Sequence, residues 1–311
     1  SLVYFPAAHW VFAFDGAVSE KGGFIANTIQ ALDFAGGTAI HINAGAGALA
    51  LALVLGKRIG FGKVPMRPHN LTLVMLGAAL LWIGWFGFNA GSALGANELA
   101  GLTWVNTMVC PAATMLAWLV TERIRDGHAT SLGAASGIVA GLVAITPACA
   151  VVTPLGAIVI GILAGVGCSM ALSLKYRWGY DDSLDVVGVH LVGGLIGTLA
   201  IGFLASPDLT GSIDSAGLFY GGGLAQLGRQ AAGAGIVLGY SLVVTWLIAQ
   251  AIDKTIGLRV TPAQETSGID LAEHAEVGYD LSKVQYSTYN KTLLIADPNA
   301  TRDNDATKVS A

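Results

Sequence analysis

The spacing of charged residues constrains this chain more than any other feature. From Gly127 to Leu174 there is no Asp, Glu, Lys or Arg, and further charge-free runs cover Phe34 to Gly56, Leu71 to Asn97, Leu99 to Thr121, Val186 to Pro207 and Gln230 to Ile252. A helix rises 1.5 Å per residue, so about 20 such residues cross the roughly 30 Å hydrocarbon core of a bilayer. The longest run exceeds one crossing, and Pro147 and Pro154 divide it near the middle, where proline interrupts a helix. The reading is an all-α polytopic membrane protein with seven complete spans, the fourth and fifth joined by the short turn PACAVVTP. Only 12% of residues are charged, about half the share a soluble domain needs to wet its surface. A formal net charge of −4, with no clustered run of Lys or Arg outside short loops, leaves no grip for nucleic acid. Cys110, Cys149 and Cys168 lie in apolar stretches without CxxC spacing and read as small packing residues.

The basic residues orient the spans, because short cytoplasmic loops collect them. Lys57, Arg58, Lys63 and Arg67 follow span one; Arg123 and Arg125 follow span three; Lys175 and Arg177 follow span five; Lys254 and Arg259 follow span seven. The opposite loops hold only Lys21 and Arg229. The C-terminus is therefore expected in the cytoplasm, with span one entering from outside. Residues 1–14, SLVYFPAAHWVFAF, read as the end of a helix cut mid-span, residues 15–256 as the membrane domain, 257–281 as a cytoplasmic segment and 282–311 as a disordered tail. Gly and Ala recur at three- and four-residue spacing inside the spans, which lets helices approach closely in a compact bundle.

Function is sought among polar and aromatic residues at membrane depth, where they are costly. His41 lies eight residues into span one and His190 five residues into span six, each after an Asp, in LDFAGGTAIHINAG and LDVVGVHLVGG. The two spans are an odd number of crossings apart and run in opposite directions, as in an inverted-repeat transporter whose site lies between the halves. Each histidine taken alone equally reads as an imidazole fixing packing. No third Cys, His, Asp or Glu shares their depth to make a metal site. Asp33 and Asp185 open their helices, where a carboxylate caps free N–H groups; a direct role competes with capping more evenly at Asp33 than at Asp185. Trp85, Phe88 and Ser92 fall at helical spacing near the outer end of span two. They read either as an interfacial belt or as an aromatic cage with one hydroxyl, which attracts a small cation.

The phrases ALDFAGGTAIHINAG, GKRIGFG, RPHNLTLVMLGAALLWIGWFGFNAGSALGANELA, SGIVAGLVAITPACA and LDVVGVHLVGG, followed by GLRV and HAEVGYD, resemble the ammonium transporter family (Amt/Mep/Rh), in its bacterial Amt branch. The resemblance runs from Val3 to about Asp280. It implies an inverted-repeat fold of eleven spans, of which this chain carries seven complete ones and the end of another, in a homotrimer with one pore per subunit. No cofactor is implied.

The resemblance also implies residue roles. His41 and His190 match the twin pore histidines, Trp85 and Thr146 fall on pore-lining positions, Phe88 matches a gate phenylalanine, Ser92 the hydroxyl of the outer recruitment site and Asp33 the acid supporting cation recruitment. Phe12 stands where the family usually has Trp. The implied function is transport of ammonium or ammonia through the lipid bilayer of a bacterial plasma membrane, with deprotonation at the mouth and neutral ammonia crossing an apolar pore. A PII-type regulator is the implied partner of the cytoplasmic segment. The alternative is a membrane ammonium sensor signalling through its tail. Neither reading is an enzyme, and a retinal protein is excluded because no span carries the Lys needed for a Schiff base.

Overall fold

The structure is a computed structural model that describes residues 1–17 and 19–279. The expectation for residues 282–311 lies outside the described residues. Among the described residues every regular element is helical. One compact unit comprises Ser1–Arg259, and a second begins at Val260.

The first unit opens with α1 (Tyr4–Phe12) and a π-helical turn at Ile25–Ile29. A second π-helical turn, Gly37–Ile42, runs straight into α2 (Asn43–Leu55). Then follow α3 (Leu71–Gly91), α4 (Glu98–Asp126), α5 (Ser131–Ile145), α6 (Pro154–Ala171) and the short α7 (Leu174–Trp178). A third π-helical turn, Val187–Leu191, leads into α8 (Val192–Leu204), and α9 (Pro207–Thr210) precedes the long α10 (Ala225–Thr255). The second unit holds α11 (Pro262–Ser267), opened by a capping box between Thr261 and Gln264, and α12 (Ile269–His274).

The starts of the long helices follow local chemistry. The side chains of Asn70, Asn97, Thr130 and Thr153 accept hydrogen bonds from Leu73, Ala100, Gly133 and Gly156 N–H at the openings of α3, α4, α5 and α6, relieving donors that a helix leaves unpaired. Pro154, whose missing N–H costs nothing at the first turn, opens α6. At the far end of α2, Gly56 turns the chain at φ +72°. There the Arg259 guanidinium donates to Leu55 O at 2.9 Å and Lys57 O at 2.6 Å, so a cation meets the helix C-terminus.

Among the described residues, six helical stretches are long and apolar enough to cross a membrane: Gly37–Leu55, Leu71–Gly91, Glu98–Asp126, Pro154–Trp178, Val187–Leu204 and Ala225–Thr255. The remaining expected span, the fourth, differs. Its helix, α5, has 15 residues, and the chain from Thr146 to Val152 is almost wholly buried instead of forming an exposed turn. Asn106 makes this possible: its buried amide donates to Cys149 O at 2.8 Å and Val152 O at 2.9 Å. Irregular backbone survives at such depth when protein groups satisfy it. The core is built from small residues, with Cys110, Ala144, Cys149, Ala157, Ala164 and Ala200 packed around Ile145, Ile160 and Ile201.

Candidate functional site

Two of the three π-helical turns carry the histidines. Each is followed by a 13-residue α-helix, so the two segments are structural copies. Widened turns of this kind often mark functional positions. A carboxylate tethers each copy. Asp33 Oδ1 accepts from Gly36 N at 2.8 Å and Gly37 N at 2.7 Å, while Oδ2 accepts from Thr38 N at 2.8 Å, Ala39 N at 3.4 Å and the Thr38 hydroxyl. At the second turn the capping role belongs to Asp182, which accepts from Val186 N at 3.0 Å and Val187 N at 2.7 Å. The cap expected at Asp185 is thus corrected. Asp185 has φ +59°, and its carboxylate pairs with Lys175 Nζ at 2.5 Å. Asp33 and Asp182 both stand eight residues before their histidine.

The copies meet at their histidines. His41 Nδ1 lies 3.2 Å from His190 Nδ1, and the rings stack with centroids 5.3 Å apart. Such a contact requires one ring to donate Nδ1–H and the other to accept. His41 is 3% exposed, and its Nε2 is buried without a protein partner. Glycines permit the approach: a Cβ on Gly45 would sit 2.5 Å from Leu191 N, and one on Gly194 would sit 3.0 Å from Ile42 Cγ1. Position four after one histidine thus packs on position one after the other, in both directions. The close approach is thus reciprocal between the two histidine segments.

Aromatic rings cover one side of the pair. Trp85 stacks on His41 at 5.3 Å, and Phe88 lies 5.6 Å from Trp85 and 6.5 Å from His41, measured between centroids. The indole is held by a 2.9 Å hydrogen bond from Trp85 Nε1 to Thr146 Oγ1, and that hydroxyl donates to Leu142 O at 2.7 Å. Thr146 thereby reaches the site through Trp85. The Ser92 hydroxyl donates to Phe88 O at 2.9 Å at the end of α3. Phe12 takes another place, packed with Ala7, Val11, Ile25, Ala39 and Val237.

On the other side a cavity of about 940 Å³ is lined by His190 and Val189 at one end and by Phe61, Tyr176, Lys175, Arg58 and Asp185 elsewhere. Arg58 is committed to Asp181: Nε and Nη2 donate to its two oxygens at 2.9 and 2.7 Å, and the Arg58 N–H adds a bond at 2.7 Å. Burial pushes the Asp181 carboxyl up, but these bonds and the Arg58 charge outweigh it and leave the group below the ordinary carboxylate range. For Asp185 burial wins over the pairing with Lys175, and its carboxyl is raised.

Two further residues were not singled out from sequence. Asp182 carries the second cap. Gln230, fully buried in α10, accepts from Leu32 N at 2.6 Å and donates to Leu32 O at 2.7 Å and Thr198 O at 3.1 Å, anchoring the chain just before Asp33. A polar amide opening a charge-free run was the available signal.

Residues 1–279 match the model of the Ammonium Transporter Family. An ammonium transporter of Mycobacterium tuberculosis (strain H37Rv) is 58% identical over the whole of this chain, which spans 66% of that protein's length. Ammonium transporter Amt1 of Archaeoglobus fulgidus is 43% identical over 90% of the chain and 68% of its own length. The crystal structure of Candida albicans Mep2 superposes with TM-score 0.78 at 32% identity, covering 97% of this chain and 64% of that one. A structure described as a sensor Amt protein gives TM-score 0.78 at 31% identity, covering 88% and 67%. The helices long enough to span a bilayer make this a multi-pass membrane protein, and with a family match over nearly its entire length the chain belongs to the Ammonium Transporter Family.

Proposed function

We propose that this protein moves ammonium across a membrane by passing it as ammonia between an aromatic-lined outer mouth and the cavity below His190. The observation that carries the reading is the buried His41–His190 contact, which leaves one ring nitrogen without a protein partner. Phe88 and Trp85 flank that contact on one side and a large cavity opens on the other. An ammonium ion is tolerated against ring faces and a hydroxyl such as Ser92, but not in an apolar constriction, where desolvation lowers the pKa of an amine by up to about 3 to 5 units. The ion gives up its proton to water at the outer mouth, and neutral ammonia crosses with the imidazoles as its polar partners. Asp33, fully engaged by the turn that carries His41, acts here by holding that turn. Phe12, set apart from the ring stack, forms part of the outer wall.

In the same reading α1 is the end of a further span, α5 with its buried continuation completes a seventh, and the two histidine segments are the centres of inverted halves. The protein then lies in a bacterial plasma membrane as a homotrimer, with residues 257–281 in the cytoplasm facing a PII-type regulator. The likeness to a sensor Amt protein makes ammonium sensing the second reading, in which the same site binds without flux.

Reconstitution into liposomes tests both. Ammonia entry and electrical current are measured together for wild type, His41→Ala and His190→Ala. Losing one polar partner worth about 1.4 kcal/mol slows passage about tenfold. Wild-type rates in both variants refute the part given to the imidazoles, and absence of flux in the wild type favours the sensor.

A further inference from the structure

The Lys175 ammonium sits in a pocket that suits a free ammonium ion. Lys175 is only 9% exposed, unusual for a residue that normally keeps its charge in water. Its Nζ donates to Asp185 Oδ1 at 2.5 Å and to Asp182 O at 3.2 Å, and lies 5.3 Å from the centroid of the Tyr176 ring. A carboxylate, a carbonyl and a ring face on three sides are what recognise a small alkylammonium or ammonium cation. The Arg58 guanidinium nearby is bound fork to fork by Asp181. Asp185 is held at φ +59°, a conformation that a non-glycine residue keeps only where its surroundings impose it. Lys175, Asp185 and His190 line the same cavity.

We propose that Lys175 is a tethered cation filling a latent ammonium site on the inner side of His190, so that an ammonium ion arriving there is released to water instead of being held. The site's occupant is part of the chain, with Asp185 and the Asp182 carbonyl as its ligands and Tyr176 as its wall. Removing the side chain vacates a site for a monovalent cation of ammonium size. The consequence for flux rests on the transport reading above, whereas the consequence for binding does not.

The protein in detergent is compared as wild type, Lys175→Ala and the double variant Lys175→Ala/Asp185→Asn, with thermal unfolding followed in ammonium chloride or in equal choline chloride. Ammonium should raise the Tm of Lys175→Ala by more than it raises that of the wild type, because a ligand that binds only the folded state stabilises it. The double variant should lose that excess. If Lys175→Ala can be purified only in ammonium salts, an ion replacing the side chain is demonstrated in another way. Recovery in neither salt, or a Tm response equal to that of the wild type, overturns the proposal. In liposomes, ammonium preloaded on the inner side should slow uptake by Lys175→Ala more than by wild type. A wild type that does not conduct refutes the transport reading and leaves the Tm comparison to judge the site.

Discussion

Replacing Gly45 by alanine separates the two histidines without touching either. The added Cβ lies 2.5 Å from Leu191 N and from Leu191 Cβ, against an ordinary contact that begins near 3.4 Å. The obstruction includes backbone, so no rotamer change relieves it, and the two segments must part by about 0.9 Å at this point. His41 Nδ1 and His190 Nδ1, now 3.2 Å apart, then separate to about 4 Å, outside hydrogen-bond range. Overpacking costs about 1–3 kcal/mol, while the better helix propensity of alanine returns at most about 1 kcal/mol, so the clash wins. The symmetric change differs in size. At Gly194 the tightest contacts are 3.0 Å to Ile42 Cγ1, 3.3 Å to Gly37 O and 3.3 Å to His41 Cβ, a shortfall of a few tenths of an ångström that the propensity gain offsets. Gly45→Ala should therefore lower the Tm and cut ammonia flux in liposomes severely, and Gly194→Ala should stay close to wild type in both. Equal damage from the two, or none from Gly45→Ala, would refute the close-approach argument.

Other changes probe single links of the same site. Trp85→Phe keeps the stacked ring but loses the bond to Thr146 Oγ1, at a cost of about 0.5–1.5 kcal/mol; Thr146→Val should cost a similar amount, and the double variant no more than the larger single one, as a double-mutant cycle on Tm would read. Asp182→Ala should cost about 0.5–2 kcal/mol and speed amide exchange at Val186 and Val187, with Asp182→Asn milder because Asn also caps; unchanged exchange would remove Asp182 from the capping role. Asp181 sits below the ordinary carboxylate range in the folded protein because Arg58 overcomes its burial, so the unfolded chain takes up its proton first and stability falls with pH. The loss develops below about pH 4, and Asp181→Asn should flatten that limb of a Tm-against-pH curve; an unaltered limb would place the acid sensitivity elsewhere.

Much of this molecule was legible because bilayers impose a simple length rule. Charge-free runs mark spans, and the helices at Leu71–Gly91 and Ala225–Thr255 fall where those runs predict them. The histidines stood out for the same reason, as polar groups inside apolar runs. What could not be read was tertiary. A π-helical turn has no local residue signature, since the extra residue per turn is tolerated only when neighbours hold it, here Asp33 for one turn and Asp182 for the other. The connection between α5 and α6 looks like a surface turn from its two prolines, yet it is buried because Asn106, some 40 positions earlier in the chain, satisfies its carbonyls.

The misplaced cap shows most clearly where letter matching fails. The phrases LDFAGGTAIHI and LDVVGVHL align through their shared Leu-Asp only with a three-residue gap, which is a weak match for a repeat. Spacing counts more than letters here. A carboxylate caps a widened turn only if the intervening backbone returns the N–H groups to its oxygens, and the distance from that cap to the ring on the next turn is then fixed by geometry. Asp33 to His41 and Asp182 to His190 satisfy this with the same eight-residue separation and no gap, while the residues between them share almost nothing. Asp185, one of three acids in the DDSLD stretch, is thereby free to bind Lys175. One copy of the repeat keeps its carboxylate for its own turn, backbone and Thr38 hydroxyl together; the other adds a cation pair on the face that opens to the cavity. The two histidine segments are therefore built alike at the histidines and differently at their ends, and in the transport proposed above that asymmetry suits a site that collects a cation on one side and releases it on the other.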